Sequence, residues 1–470
     1  MISLLADRGV TVPATEDAAA FTNRTLAAPI TAQSAAQLAL LNNPGLRQEF
    51  ARLGFSAAEL YDAGRLANPV LSMARLSPGD PVATHSQLSV GIAVNFTDLL
   101  MWSSRKRYSS AQFEATRLSV GNAALQLVTD VEKAWYDLVV AEQKARLWQT
   151  IAASASVSAA LAQRFFEAGN ISRRELAMEK AAAGSAQAEA QQMRAEADAA
   201  RSRLNQLMGL RADQGPWQAD LQLPLPREET PELKALLEQA ARQRLDIASA
   251  EKRAQAIARR YRLERRTRLV GDVELGFERE REFDGTVNKG PSLGLELPLF
   301  NWGGGRVRAA RAELAQAEAE LDETTLAASN EVQRALSALQ NARARIDLYR
   351  GTVIPQREEV VARIQEELGY MLVGVFEAVT ARQDEYRAWS DYLSGLGDYW
   401  RAHADLVQAT GGAFPGSASS TEAAFDPSIF VLPDTSAKPE DTNDHSMHRS
   451  ATPEEESGSA EQHDMHQHHH

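Results

Sequence analysis

One helical pattern is written twice in this chain. Val131, Ala134, Leu138, Ala141, Ala145 and Trp148 recur as Val332, Ala335, Leu339, Ala342, Ile346 and Tyr349, each pair offset by 201 residues. Both sets keep the three-four spacing of a single helix face. A duplication of this length restricts the fold to two copies of one supersecondary unit, each of which must supply the same series of elements.

The longest element of each copy is a helix. From Trp102 to Ala168 there is no proline, and Gly121 is the only breaker. At 1.5 Å per residue this predicts roughly 100 Å of helix. A stretch of similar length runs from Arg306 to Leu368. Val128, Trp135 and Val139 form a second apolar stripe, so the helix packs neighbours on two sides. Gly169-Asn170 and Gly369-Tyr370 are read as the helix ends, and return helices follow over Ser172–Leu207 and Val373–Gln408. Pro355 sits inside the second long helix with no counterpart in the first, which predicts a kink or interruption there. Shorter helices precede, over Thr31–Arg65 with a break at Asn43-Pro44 and over Glu232–Arg266.

Between the short and long helices lie strands. Leu88, Val90, Ile92, Val94 and Phe96 alternate with polar or small residues; so do Val273, Leu275 and Phe277, and Leu293, Leu295, Leu297 and Leu299. Asn68–Ser77 is less regular, with Arg75 breaking the alternation. Turn formers separate the strands: Pro78-Gly79-Asp80-Pro81, Asp284-Gly285 and Lys289-Gly290-Pro291. One hairpin per copy gives four strands, too few to close a barrel with a lumen; three chains give twelve. Ten-residue strands with an apolar outer face suit an outer-membrane barrel. Glu274, Glu278 and Glu296 on the polar face suit a wet interior. The competing reading is a small amphipathic sheet on a soluble core, against which the length of the helices argues.

Composition removes other classes. No apolar run reaches the length of a transmembrane helix. The net charge of −13 carries no basic nucleic-acid footprint. There are no cysteines, hence no disulfide or thiolate site. No nucleophile–base set and no phosphate loop is present, so an enzyme is not expected. Residues 412–470 hold eleven acids against Lys438 and Arg449 and are read as a disordered tail. Seven of the nine histidines fall there: His445, His448, His463, His466, His468, His469 and His470, interleaved with Met447 and Met465. Imidazole with thioether points to copper or silver, then zinc. No bound cofactor is otherwise expected.

The element order and several motifs resemble the TolC-like outer-membrane efflux protein family, and among its members the copper and silver exporters. Asn42-Asn43-Pro44 and Arg244-Leu245-Asp246-Ile247 fall at the family's short-helix positions. Leu297-Pro298-Leu299-Phe300-Asn301-Trp302-Gly303-Gly304 resembles the junction leaving the barrel, and Val353-Ile354-Pro355-Gln356 with Leu368-Gly369-Tyr370 the approach to the second tip. The likeness covers residues 31–411. It implies a mostly α, internally duplicated chain with long helical hairpins forming an α-barrel. Four strands per chain would complete a homotrimeric twelve-stranded β-barrel in outer-membrane lipid. A periplasmic tunnel would dock a periplasmic adaptor and an inner-membrane pump. By the same analogy Glu377 is the pore gate, with Gly374 where the family has a second acid, and Gly169, Asn170, Gly369 and Tyr370 are the adaptor-docking tips. A signal and any lipid-anchoring cysteine are expected upstream of Met1. The expected divisions are an extension over 1–30, repeats over 31–211 and 232–411 joined by 212–231, and the tail. The expected role is a heavy-metal exit duct; the alternatives are a drug or organic-solute channel and a soluble periplasmic coiled-coil adaptor.

Overall fold

The computed structural model describes residues 5–10, 18–77, 86–211, 216–226, 231–269, 271–296, 300, 302–370, 372–413 and 424–425. The first half runs α1 (Ala18–Leu26), α2 (Ala32–Asn42), α3 (Pro44–Ala63), β1 (Val70–Leu76), β2 (Gln87–Asn95), α4 (Phe96–Glu167) and α5 (Arg173–Met208). A two-residue strand β3 (Leu223–Pro224) follows. The second half runs α6 (Leu233–Gln243), α7 (Leu245–Thr267), β4 (Val273–Arg281), β5 (Val287–Leu295), α8 (Gly304–Leu348), α9 (Ile354–Gly369) and α10 (Val375–Ala409), with β6 (Ala424–Phe425) pairing back to β3.

Helix α4 has 72 residues, which at 1.5 Å each is roughly 110 Å. It starts at once after β2, six residues before the sequence reading, because the Asn95 side chain caps it by accepting from the Asp98 N–H at 3.0 Å. Its two apolar stripes are both buried. Val131, Ala134, Leu138 and Ala145 line one; Val128, Trp135 and Val139 line the other. The matching residues of α8, from Val332 to Ile346, are buried likewise. Many of them are alanines, so neighbouring helix axes approach closely.

The duplication extends to the joints. Asn43 and Arg244, 201 residues apart, both take an extended backbone, at φ −62 and −65, between paired short helices. Gly209 and Gly411 follow α5 and α10 in the left-handed region, at φ 69 and 81. A Cβ on Gly209 would stand 2.6 Å from the Asn42 carbonyl oxygen, and one on Gly411 would stand 2.8 Å from the Arg244 nitrogen. Each glycine lets a return helix end hard against the break in the short helix of its own half.

Pro355 does not stop its helix. It lies in the first turn of α9, directly after a π turn over Tyr349–Val353. The wider turn absorbs the backbone bond that proline cannot supply. The second rod therefore continues past the proline, while the first has no such irregularity.

The four longer strands form one antiparallel sheet in the order β1-β2-β4-β5. Directly opposed residues share a face, so Leu71, Ile92, Phe277 and Pro291 make one row, and Val94, Leu275 and Leu293 the next. Leu71, Ile92, Phe277 and Leu293 are exposed. The sheet is thus not packed on a soluble core. Its other face carries Glu274, Glu278 and Glu280 opposite Gly294, Gly290 and Asn288.

Strand β5 begins five residues earlier than the alternation suggested, and Lys289-Gly290-Pro291 is strand rather than turn. The turn is at Asp284-Gly285, where Gly285 has φ 92 and the Asp284 carboxylate accepts from the Thr286 N–H at 2.8 Å. The Glu282 N–H reaches the Thr286 carbonyl, and the Glu296 N–H the Asp272 carbonyl. In this register the even-numbered pairs therefore exchange the bonds. Pro291, opposite Phe277, directs its nitrogen away from β4 to the open edge, where proline costs this sheet no bond. Pro78-Gly79-Asp80-Pro81 lies outside the described residues.

Candidate functional site

The candidate residues singled out in the sequence lie on the sheet and at the tips of the two helical hairpins. The first tip closes as the sequence suggested. Gly169 is left-handed at φ 78; its N–H donates to Phe166 and that of Asn170 to Phe165, at 2.9 and 2.8 Å. Ser172 and Glu175 then cap α5 reciprocally, at 3.2 and 2.7 Å. Those bonds to Ser172 hold the Glu175 carboxyl below the usual range.

The second tip is built differently. Gly369 is the last residue of α9 and is not left-handed; Tyr370 caps the helix at φ −93. A glycine is not required there, because the turn closes through the Leu372 N–H on the Glu367 carbonyl at 2.9 Å. Tyr370 and Leu372 are exposed. Gly374 is extended and precedes α10.

Glu377 lies in the first turn of α10, where the helix dipole favours an anion. It is exposed. Among the described residues its carboxylate has no ion pair. Its neighbour Phe376 packs edge to face on Phe165 of the first tip. Sequence spacing held no sign of this contact between residues so far apart.

Above Glu377 the acids of α10 are paired. Asp384 meets Arg387 at 2.8 Å and Arg357 at 3.4 Å. Asp391 accepts from the Tyr349 hydroxyl at 3.2 Å, and Arg345 and Arg401 both pair with Asp398. Glu385 is buried against Arg382 at 2.7 Å; burial raises its carboxyl despite the guanidinium. The π turn supplies Tyr349, so the irregularity beside Pro355 also places a ligand for α10.

Further along the rods, the halves meet through aromatic rings. Tyr136 stacks on Trp400 with centroids 5.5 Å apart. The Trp135 indole donates to the Ile30 carbonyl and the Trp400 indole to that of Pro224, both at 2.8 Å. Beside them lies a cavity of about 680 Å³, lined by Glu132, Asp220, His403 and Arg8 among others. Burial pushes the Glu132 carboxyl up to about 7 and raises the Tyr136 hydroxyl. No motif pointed to this acid.

The tail residues His445, Met447, His448, His463, Met465, His466, His468, His469 and His470 lie outside the described residues. Among the described residues no group of three or more His, Cys, Asp or Glu side chains could hold a metal ion. No helix there is long and apolar enough to cross a membrane.

Residues 236–412 match the sequence model of the outer membrane efflux protein family. That match lies in the second half of the chain. Protein CyaE of Bordetella pertussis (strain Tohama I) is 29% identical over 332 residues, 66% of this chain and 69% of CyaE. The fold matches the Campylobacter jejuni CmeC outer membrane channel with a TM-score of 0.69 at 17% identity, over 86% of this chain and 89% of that one. CusC matches with 0.67 at 17% identity, over 83% and 94%. The open-state MtrE outer membrane channel of Neisseria gonorrhoeae matches with 0.65 at 18% identity, over 81% and 89%. With the fold, these likenesses support an efflux channel of the tripartite kind, seated in the outer membrane with its helical tunnel in the periplasm. The soluble-adaptor alternative is thereby removed.

Proposed function

We infer that three copies of this chain form an exit duct for heavy-metal cations such as copper or silver. The observation that carries the duct is the sheet. Its strands β1 and β5 are open edges, one face is apolar and exposed, and β2 runs without a break into α4. Open edges on an apolar sheet are unstable in lipid until they pair. Pairing β5 of one copy with β1 of the next, three times over, closes twelve strands. Glu274, Glu278 and Glu280 then face the lumen, an acidic lining that suits cations.

The hairpin tips at Gly169-Asn170 and Gly369-Tyr370 are the surfaces offered to a periplasmic adaptor, with energy supplied by an inner-membrane pump. Glu377 then forms a threefold carboxylate ring at the tunnel mouth. Heavy metal as cargo rests on the histidine and methionine pattern of the tail, which suits copper or silver and then zinc. Export of drugs or organic solutes leaves that pattern without a role.

The test is a strain lacking the protein, challenged with copper, silver, zinc and a panel of drugs. Metal sensitivity is the expected phenotype. It should be repaired by the full chain and less well by a chain ending at residue 411. A strain sensitive to drugs alone sinks the metal reading. Detergent extraction as a monomer sinks the duct.

A further inference from the structure

Strand β4 ends in Glu278-Arg279-Glu280-Arg281, and Glu282 follows. In a strand, successive side chains point to opposite faces. The alternation of sign therefore sorts the charges: the glutamates go to the face of Glu274, the arginines to the face of Phe277. The register completes the pattern. Met73, Val90, Arg279 and Lys289 form one row across the sheet, and Arg75, Leu88, Arg281 and Val287 the next. Both rows continue the apolar face. Nearer the helices the rows on that face are wholly apolar. The last two rows before the hairpin turns carry four cations and no acid.

All four cations are exposed, and among the described residues none of them makes an ion pair. Arg279 and Lys289 are directly opposed, in an odd-numbered pair of the closer, non-hydrogen-bonded kind. Like charges in that position repel and weaken a sheet. Arg281 stands two residues from Arg279 on the same face, roughly 7 Å away. Three cations held this close are satisfied by an anion seated between them.

With the helices in the periplasm, the hairpin turns point out of the cell, so the two cationic rows stand at the outer-leaflet surface. We propose that Arg279, Arg281 and Lys289, flanked by Arg75, are a binding site for phosphorylated lipid headgroups of the outer leaflet. The apolar rows below take the acyl chains, and long basic side chains reach up to the phosphates. Guanidinium forks suit phosphate oxygens, and the lysine adds a point charge. This rests on the outer-membrane seating of the protein and goes beyond its role as a duct.

The full-length protein is reconstituted in vesicles of phosphatidylcholine, with or without phosphatidic acid, and its thermal unfolding is followed. The phosphatidic acid vesicles should raise the midpoint by about 4 °C or more. High salt should shrink that rise. The triple variant Arg279→Gln, Arg281→Gln, Lys289→Gln should lose it, while Glu278→Gln with Glu280→Gln on the other face should keep it. Inorganic phosphate added to phosphatidylcholine vesicles should give no such rise; if it reproduces the effect, the site takes free phosphate and the lipid assignment is overturned. A protein that inserts as a trimer yet unfolds at the same temperature in both vesicles also overturns it, leaving the duct intact. Failure to insert in either vesicle overturns the duct and this site with it. Should the triple variant not fold, the wild-type comparison decides alone.

Discussion

Phe165 and Phe376 meet edge to face, their ring centroids 6.1 Å apart, and this contact joins the tips of the two helical hairpins. Phe165 lies four residues before Gly169, and Phe376 is the second residue of α10. Between them they set where the first turn of α10, and therefore Glu377, stands relative to the first hairpin.

Phe376→Ala should loosen the tip more than it destabilises the protein. One edge-to-face pair contributes about 1 kcal/mol, and both rings are at an end of the rods, far from the core around Trp135. Channels of this variant in planar bilayers should open more often or conduct more. The unfolding midpoint should move by no more than a few degrees. Unchanged conductance would show that the aromatic contact does not restrain the mouth.

Glu377→Gln keeps the shape of the side chain and removes its charge. In the threefold ring proposed above, each carboxylate would attract cations to the tunnel mouth. The variant should therefore lose part of its preference for cations over anions, with folding unaffected, since Glu377 is exposed. Reversal potentials in a salt gradient measure this. An identical preference in variant and wild type ends the case for a gate at this residue.

Arg244 should matter to stability in a way its exposed neighbours do not. Its side chain is 10% exposed. It donates to Asp246 at 2.6 and 3.0 Å, to Glu331 at 2.7 Å and to the Ala409 carbonyl at 3.2 Å. It thereby ties the break between α6 and α7 to α8 and to the end of α10. Arg244→Met removes the cation and leaves two carboxylates and a carbonyl short of a donor, a loss of about 2–4 kcal/mol. Arg244→Lys should restore only part, because an ammonium does not span the same acceptors. Urea unfolding reads both. A loss under about 0.5 kcal/mol for Arg244→Met would place the joint's strength elsewhere.

These positions differ in how legible they were. The rods and their two buried stripes followed from spacing alone, because a helix repeats its face every three or four residues over a long distance. The strand alternation gave the apolar face, yet Lys289-Gly290-Pro291 read as a turn. Gly-Pro breaks most strands, and sequence does not say that Pro291 turns its nitrogen to an open edge. Arg75 looked like a fault in the alternation; the register makes it part of a cationic row. Gly169 and Gly369 both read as helix ends and both are, but the pattern does not tell that only Gly169 is left-handed while the second tip closes through Leu372. The contact of Phe165 with Phe376 joins residues 211 apart, and the enclosure of Glu132 depends on helices from both halves. Neither leaves a local pattern to read.

Glu132 gives the protein a pH dependence opposite in sign to that of a salt-bridged acid. Burial raises its carboxyl from 4.5 to about 7, so the folded chain holds this proton more tightly than the unfolded one. Below about pH 4.5 the group is protonated in both states and stability is unaffected. As pH rises from there to 7, the unfolded chain ionises freely while the folded chain resists, and stability falls; above 7 the penalty is complete. It amounts to at most about 3 kcal/mol per chain. Tyr136, Asp220, His403 and Arg8 also line or border the cavity, so the wild-type profile alone does not isolate Glu132. The comparison with Glu132→Gln does, because it removes this one titration. The two proteins should unfold at similar temperatures at pH 4.5, and the glutamine variant should be several degrees more stable at pH 8. Parallel profiles across that range would mean that Glu132 is solvated in the assembled channel.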